Sequence, residues 1–300
     1  MAGTITITIM VRKKHARGAA HSVTSPRLRG EVGSRSDPGE RDSPCTERVE
    51  SPPELDPLPS ERAFTPVFDG LCGEREQRAL YRLMAWLSPA YPVGAFSYSG
   101  GIEQAVERGD IKDAASLKRW LAVIIAEGSG FCDAVFCAQA HRAITAGNDT
   151  LLREVAEVAA AFAPSKERHL ETTAQGRAFV EATRAAWPCA ALDRLAGAWD
   201  GPVAYPVAVG VTAAGHGIVV EAALSAYLQA VVANLISAGV RLIPLGQTEG
   251  LRLLAAFEPV VAATVTRALS VPLDQVGSAT FRADIAAMLH ETQYTRLFRS

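Results

Sequence analysis

Two residues with metal-binding side chains are the first candidates for chemistry in this sequence. Cys137 and His141 are four residues apart in a segment with helical periodicity, so they would lie on one face of a helix. Cys132 precedes Cys137 by five residues and would point to another face, and no third ligand is near in sequence. Two ligands do not complete a metal site, so we expect no bound metal here.

A glycine loop, PVGAFSYSGGIE at residues 92–103, is the second candidate. Ser97, Tyr98 and Glu103 combine hydroxyl groups with a carboxylate, and an active site in this loop is one hypothesis. An ordered connection between two helices is the alternative. A phosphate-binding loop is excluded, because Ile102 and Glu103 stand where a Walker loop needs Lys and Ser or Thr, and the preceding residues are helical.

No other pattern in the chain predicts catalysis. The Ser–His–Asp orders and the G-x-S-x-G elbow are missing from the sequence. His169, His216 and His290 are scattered, and each fits the end of a helix. No carboxylate is flanked by an apolar run that would raise its pKa for acid–base work. The residues therefore favour a protein without catalytic groups, with the glycine loop as the remaining rival.

Helical periodicity dominates from residue 77 to the end of the chain, with no alternation long enough for a sheet. Asp113 and Asp149 are predicted to cap two of the helices. A core-facing stripe is predicted at the start of this region. Its members are Leu80, Leu83, Met84 and Leu87. The sequence predicts one all-α, bundle-like, multi-helix domain over residues 77–300.

The most apolar run, residues 219–242, is long enough to cross a membrane. Glu221, Gln229 and Asn234 interrupt it, and polar groups are costly at bilayer depth, so we predict a central bundle helix instead. Its small residues permit close helix approach, either in the core or at a homodimer seam. They are Ala226, Ala230, Ala233, Ser237 and Ala238.

Two tight connections between helices are predicted to have defined shapes, because they combine proline with glycine. The residues expected to shape them are Pro92, Gly94 and Gly101 in the first, and Pro244, Gly246 and Gln247 in the second.

Residues 1–76 differ in composition from the rest, being rich in Arg, Glu, Ser and Pro. Such a segment cannot bury enough apolar surface to offset its ordering entropy, so we predict a disordered tail, or an over-extended translation start.

The formal net charge of −2 gives no reason to expect nucleic acid or an anionic membrane as partner. Five cysteines without a C-x-x-C pair favour a reducing cytoplasm.

Three motifs resemble the urease accessory protein F family. They are PVGAFSYSGGIE, GVRLIPLGQTEG (residues 239–250) and HETQYTRLFRS (residues 290–300), and YPVAVG from Tyr205 accompanies them. The similarity covers residues 78–300 and leaves out the tail. It implies an all-α, non-enzymatic maturation factor that forms homodimers. Such a factor binds the accessory protein called D or H, recruits the GTPase G through it, and delivers nickel to apo-urease. The alternatives are a helical enzyme with its active site in the glycine loop and a helical interaction module unrelated to nickel.

The resemblance also implies roles for particular residues. Glu103, which closes the first motif, and Arg241, which precedes Pro244, are implied to face the GTPase. We expect both to be solvated charges, so that replacement by alanine leaves the fold intact. The C-terminal motif is implied to become ordered on the D/H partner. Its expected anchors are Tyr294, Arg296, Leu297, Phe298 and Arg299. The resemblance implies no directly bound cofactor, because partner proteins handle nickel and GTP.

This sequence departs from the family pattern at three positions. Gly100 stands where relatives often carry His or Gln, which removes a side chain from a possible contact. Leu251 replaces a frequent Gln, and Arg241 replaces a frequent Lys. Arg keeps the charge of Lys but brings a planar, forked donor group, so the geometry of its contacts differs.

Overall fold

The computed structural model of this chain describes residues 73–300. Over these residues the chain is helical and contains no β-strand, which confirms the all-α, bundle-like prediction. The predicted tail lies outside the described residues up to position 72. The first helix of the described residues begins at Glu74, three residues before the predicted start of the domain.

The α-helices are labelled in chain order. They are α1 (Glu74–Trp86), α2 (Ile102–Glu107), α3 (Ala114–Glu127), α4 (Ser129–Thr145), α5 (Asp149–Ala161), α6 (Lys166–Ala186), α7 (Ala190–Ala198), α8 (Tyr205–Gly215), α9 (Val220–Leu242), α10 (Gln247–Ala256), α11 (Glu258–Ser270) and α12 (Phe281–His290). Two short 3₁₀ turns, Ala95–Ser97 and Leu273–Gln275, lie between helices.

Polar side chains begin several of these helices. Asp113 caps α3 as predicted, and its Oδ1 accepts a hydrogen bond from the Ser116 N–H at 2.8 Å. The cap of α5 is Asn148 rather than Asp149, because the Asn148 Oδ1 accepts the Leu151 N–H at 3.0 Å. Asp149 is instead the first helical residue, where a negative charge suits the helix dipole.

Helix α4 is the centre of the fold. It packs against α3, α5, α8, α9 and α11, and its residues from Gly130 to Ala140 are all buried. Gly210 of α8 lies against its backbone, where a Cβ atom would stand only 2.3 Å from the Cys137 carbonyl oxygen. The segment at residues 219–242, predicted to be a central bundle helix, forms α9. It packs against α2, α3, α4, α8, α10 and α11, and it leaves Gln229 and Ser237 exposed.

The predicted core stripe of α1 is wrong at two positions. Leu83 and Trp86 are buried, but Leu80 is 58% exposed and Met84 is 68% exposed. Trp86 forms the contact with the bundle, in edge-on packing against Phe179 with ring centres 6.4 Å apart. The helix therefore points a different face inward than its leucine and methionine spacing predicts.

The last helices surround a second core cluster that positions the candidate site. Helix α12 packs on α2 and α6, and α2 also packs on α9. Ile102 of α2, Ile236 of α9 and Ala286 of α12 belong to this cluster. These contacts bring α12 against α2, the helix that begins at the end of the glycine loop.

Three helical stretches in the described range have the length and composition of a membrane span. They are Ala114–Thr145, Val220–Leu242 and Gln247–Ser270. The first of them is the most buried, with 72% of its apolar window inside the protein.

Candidate functional site

The glycine loop has a backbone that depends on glycine at two predicted positions. Gly94 and Gly101 have φ angles of 72° and 82°, in the left-handed region. Space around Gly94 is open, whereas a Cβ atom on Gly101 would lie 2.8 Å from the backbone nitrogen of Ala287 in α12. Gly101 therefore permits both the turn and the close approach of α12, and it begins α2 as its N-cap residue.

The end of the chain lies on this loop. We call residues 291–300 the C-terminal segment. The Arg299 N–H donates to the Ser97 carbonyl oxygen at 2.8 Å, and the Ser99 N–H donates to the Ser300 carbonyl oxygen at 2.6 Å. The Ser300 hydroxyl also donates to Glu171 Oε2 at 3.1 Å. The first and third sequence motifs are thus in direct contact.

Glu103 binds the backbone of the C-terminal segment through its carboxylate. Its Oε1 accepts the Leu297 N–H at 2.6 Å, and its Oε2 accepts the Phe298 N–H at 2.9 Å. The His290 Nε2 lies 3.1 Å from the same Oε2. Glu103 is only 8% exposed, so the expectation of a solvated charge is wrong. Its position in the first turn of α2 points the carboxylate at the segment instead of at solvent.

These contacts set the pKa of Glu103. Burial alone would raise it, because a carboxylate loses hydration inside the protein. The Leu297 N–H, the His290 ring and the Phe298 N–H together outweigh burial and hold the pKa of Glu103 below its usual value. The carboxylate form is therefore the form that binds the segment.

His290, the last residue of α12, joins three elements. It is fully buried, with its Nδ1 2.6 Å from Glu167 Oε2 of α6 and its Nε2 facing Glu103 of α2. Since both ring nitrogens face carboxylate oxygens, only the imidazolium form can donate to both. Arg296 adds an ion pair to Glu167, with Nη1 2.6 Å from Oε1. In the sequence His290 is the first residue of the third motif, but no spacing links it to either carboxylate.

Arg241 connects the second sequence motif to the same site. Its guanidinium group donates to the Phe96 carbonyl oxygen at 3.0 Å, and its Cζ lies 4.4 Å from the centre of the Phe298 ring. A cation over an aromatic ring is attracted to its π face. All three motifs thus meet at one place. Of the other residues predicted to shape the second connection, Pro244 is exposed, Gly246 is the N-cap of α10, and Gln247 is its exposed first residue.

The outer side of the C-terminal segment is open. Of its predicted anchors, Phe298 is buried, whereas Tyr294, Arg296, Leu297 and Arg299 are exposed. Helix α12, which precedes the segment, also carries exposed apolar residues at helical spacing. We call them the α12 apolar face: Phe281, Ile285, Met288 and Leu289. Clustered exposed apolar side chains mark interaction surfaces in soluble proteins.

The residues that could have formed an active site do not converge. Ser97 and Glu103 bind the C-terminal segment, Tyr98 is buried, and none of the three lines the cavities of 290 and 440 Å³.

Of the two candidate metal ligands, His141 has its Nε2 2.8 Å from the Ile218 carbonyl oxygen. Within residues 73–300, no group of three or more His, Cys, Asp or Glu side chains is placed to hold a metal ion.

Comparison with known proteins decides the family. The family model described as UreF matches residues 111–258. The urease accessory protein UreF of Rhodopseudomonas palustris (strain HaA2) is 63% identical over 222 residues, which are 74% of this chain and 94% of that protein. The chain belongs to the UreF family.

A second relative extends the match. The urease accessory protein UreF of Bradyrhizobium diazoefficiens is 61% identical over 235 residues, 78% of this chain and 97% of that protein. UreF membership confirms the resemblance found in the three motifs and supports a role in urease maturation.

Proposed function

We propose that this protein is a non-catalytic scaffold for GTP-dependent nickel insertion into apo-urease. It binds the D/H accessory protein, and the GTPase G joins through that complex and has its activity gated there. Nickel and GTP are held by the partners, and the chain itself works in the cytoplasm as a homodimer. The name accessory protein, carried by its relatives, is consistent with a role that involves no bond chemistry.

One observation carries this proposal: the three motifs meet in a single site built from backbone and charge contacts. The inner side of the C-terminal segment is occupied by Glu103, Arg241 and the glycine loop. Its outer side leaves Tyr294 and Leu297 uncovered. A segment fixed on one side and open on the other is suited to present side chains to another protein.

We assign the D/H partner to the exposed side. The α12 apolar face and the side chains of Tyr294 and Leu297 would form the centre of the contact, because buried aromatic and apolar groups dominate binding energy at interfaces. Arg296 and Arg299 would lie at the rim. Phe298 would contribute by fixing the segment under Arg241 rather than by touching the partner.

We assign the contact with the GTPase to Arg241 and to the surface that Glu103 organises. Arg241 is exposed and keeps donor groups available. Glu103 is covered, so its effect on the GTPase would be transmitted through the segment it holds. This differs from direct contact by both residues, which the family resemblance implies.

The test is reconstitution with purified components. The chain is mixed with the D/H partner, then with the GTPase and GTP, and the products are separated by size exclusion with light scattering. We expect a complex with D/H that then retains the GTPase, and a mass for the chain alone that corresponds to a dimer. Separate elution of well-folded chain and D/H protein would refute the proposal.

A further inference from the structure

A cavity of 290 Å³ lies between the glycine loop and helices α4, α6, α9 and α12. Its walls are largely apolar and aromatic. The rings that line it belong to Tyr91, Phe96, Tyr205 and Tyr227. Its volume is near the lower end of the range for ligand sites in proteins, about 300–1,000 Å³, and suits one extended side chain.

Most of the charge on the cavity wall is paired. Arg168 binds Asp133 through Nη2 at 3.0 Å and Glu171 through Nη1 at 3.1 Å. The Tyr227 hydroxyl donates to the same Asp133 Oδ2 at 2.9 Å. Asp133 and Glu171 are both buried, so this cluster is part of the interior.

Asp284 of α12 adds a third carboxylate to the wall. Within the described range it makes no ion pair, and its only polar partner is the Thr280 hydroxyl at 3.4 Å. Arg168 thus pairs with two of the three carboxylates on the wall, and among the described residues Asp284 has no cationic partner. An excess of negative charge in a partly buried cavity is unfavourable, and a cation that entered would offset it.

We propose that this cavity binds a guanidinium group, presented as the arginine side chain of a protein partner. Its charged end would pair with Asp284, and its flat face and aliphatic stem would lie along the tyrosine rings, which attract cations through their π faces. A metal ion fits less well, because Asp133 and Glu171 are already paired with Arg168 and the described residues hold no metal-binding group of three. The inference does not rest on the proposed function.

The test uses N-acetyl-L-arginine amide as the probe and the full chain labelled with ¹⁵N. We expect saturable shifts of the Asp284 and Ala287 amide resonances. Asp284→Asn removes the charge and keeps the shape, and it should weaken binding about tenfold or more. Asp274→Asn is the matched control, since Asp274 is exposed and does not line the cavity. It should leave the affinity unchanged.

N-acetyl-L-citrulline amide, a neutral analogue of the same shape, should give no saturable shift. Equal binding of the two analogues would overturn the proposal, as would equal weakening by D284N and D274N. Displacement of the arginine probe by an equal concentration of Mg²⁺ would identify an inorganic-cation site and would also overturn it. If D284N does not fold, the comparison of arginine and citrulline on the unaltered chain decides.

Discussion

At the scale of single residues, Glu103 is the position where the environment expected from the sequence differs most from the environment in the structure. The sequence shows an acid in the first turn of a helix, which is normally solvated. It cannot show that the Leu297 N–H, 194 residues later, donates to that carboxylate. Arg241 and Phe298 are another such pair, 57 residues apart by number, whose contact follows only from the packing of α9. Burial at the site depends on long-range contacts that spacing does not encode.

Replacing Glu103 tests its role in holding the segment. Glu103→Ala leaves the Leu297 and Phe298 N–H groups and His290 without their acceptor, so we expect a loss of about 1–3 kcal/mol, concentrated in the C-terminal segment. Arg241→Ala removes a hydrogen bond to the Phe96 carbonyl oxygen and a cation–π contact with Phe298 but leaves no buried charge unpaired, so it should cost less, about 0.5–1 kcal/mol. Denaturant unfolding and hydrogen exchange of both variants give the comparison. Equal, small effects would show that Glu103 does not anchor the segment.

The pKa of Glu103 predicts how the segment responds to acid. Because this pKa is lower in the folded protein, the stabilisation is complete above the ordinary glutamate pKa of about 4.3 and is lost as the pH falls through the folded value. We expect the Leu297 and Phe298 amides to lose hydrogen-exchange protection in this acidic range, after correction for intrinsic rates. Amides of α4 should stay protected, and Glu103→Gln should remove the pH dependence.

At the scale of elements, hydrophobic periodicity predicts where the helices lie in the sequence, but it does not predict which face of each helix is buried. The run that became α9 was predicted from residue 219 and begins at Val220. The predicted core stripe of α1 is wrong because the spacing of leucine and methionine indicates a different buried face. The face that is buried carries Trp86, which packs on Phe179 and Trp187. A large aromatic residue outside the stripe decided the rotation of that helix.

The glycine loop offers a matched pair of substitutions. Gly101→Ala combines a left-handed φ with a Cβ 2.8 Å from the α12 backbone, whereas Gly94→Ala has the unfavourable φ alone. We expect Gly94→Ala to cost about 1 kcal/mol and Gly101→Ala clearly more, since α12 must move. Thermal denaturation ranks the two. The reverse order would mean that α12 does not depend on this close approach.

The α12 apolar face is a test of the interface assignment. Ile285→Asp places a charge on an exposed position, so the thermal midpoint should change little while binding to the D/H partner is lost. Leu80→Asp, on the exposed side of α1, is the control and should leave that binding intact. If both variants bind D/H as the unaltered chain does, the partner contacts another surface.

At the scale of the whole molecule, the described part of the chain holds its own C-terminal segment in place. The all-α fold followed from the sequence because helical periodicity continues from residue 77 to the end without strand-like alternation. The site did not follow from periodicity, and only the family motifs pointed to its parts. Their convergence on Glu103 and Arg241 depends on the packing of α2, α9 and α12 in three dimensions.

The most direct test of the central claim is the affinity of the D/H partner for the full chain, for Glu103→Ala and for a chain shortened to residue 290, measured by titration calorimetry. The account predicts strong binding by the full chain, weaker binding by Glu103→Ala and none by the shortened chain, with all three folded by circular dichroism. Unchanged affinity of the shortened chain would contradict it, because the C-terminal segment would then have no part in recognition.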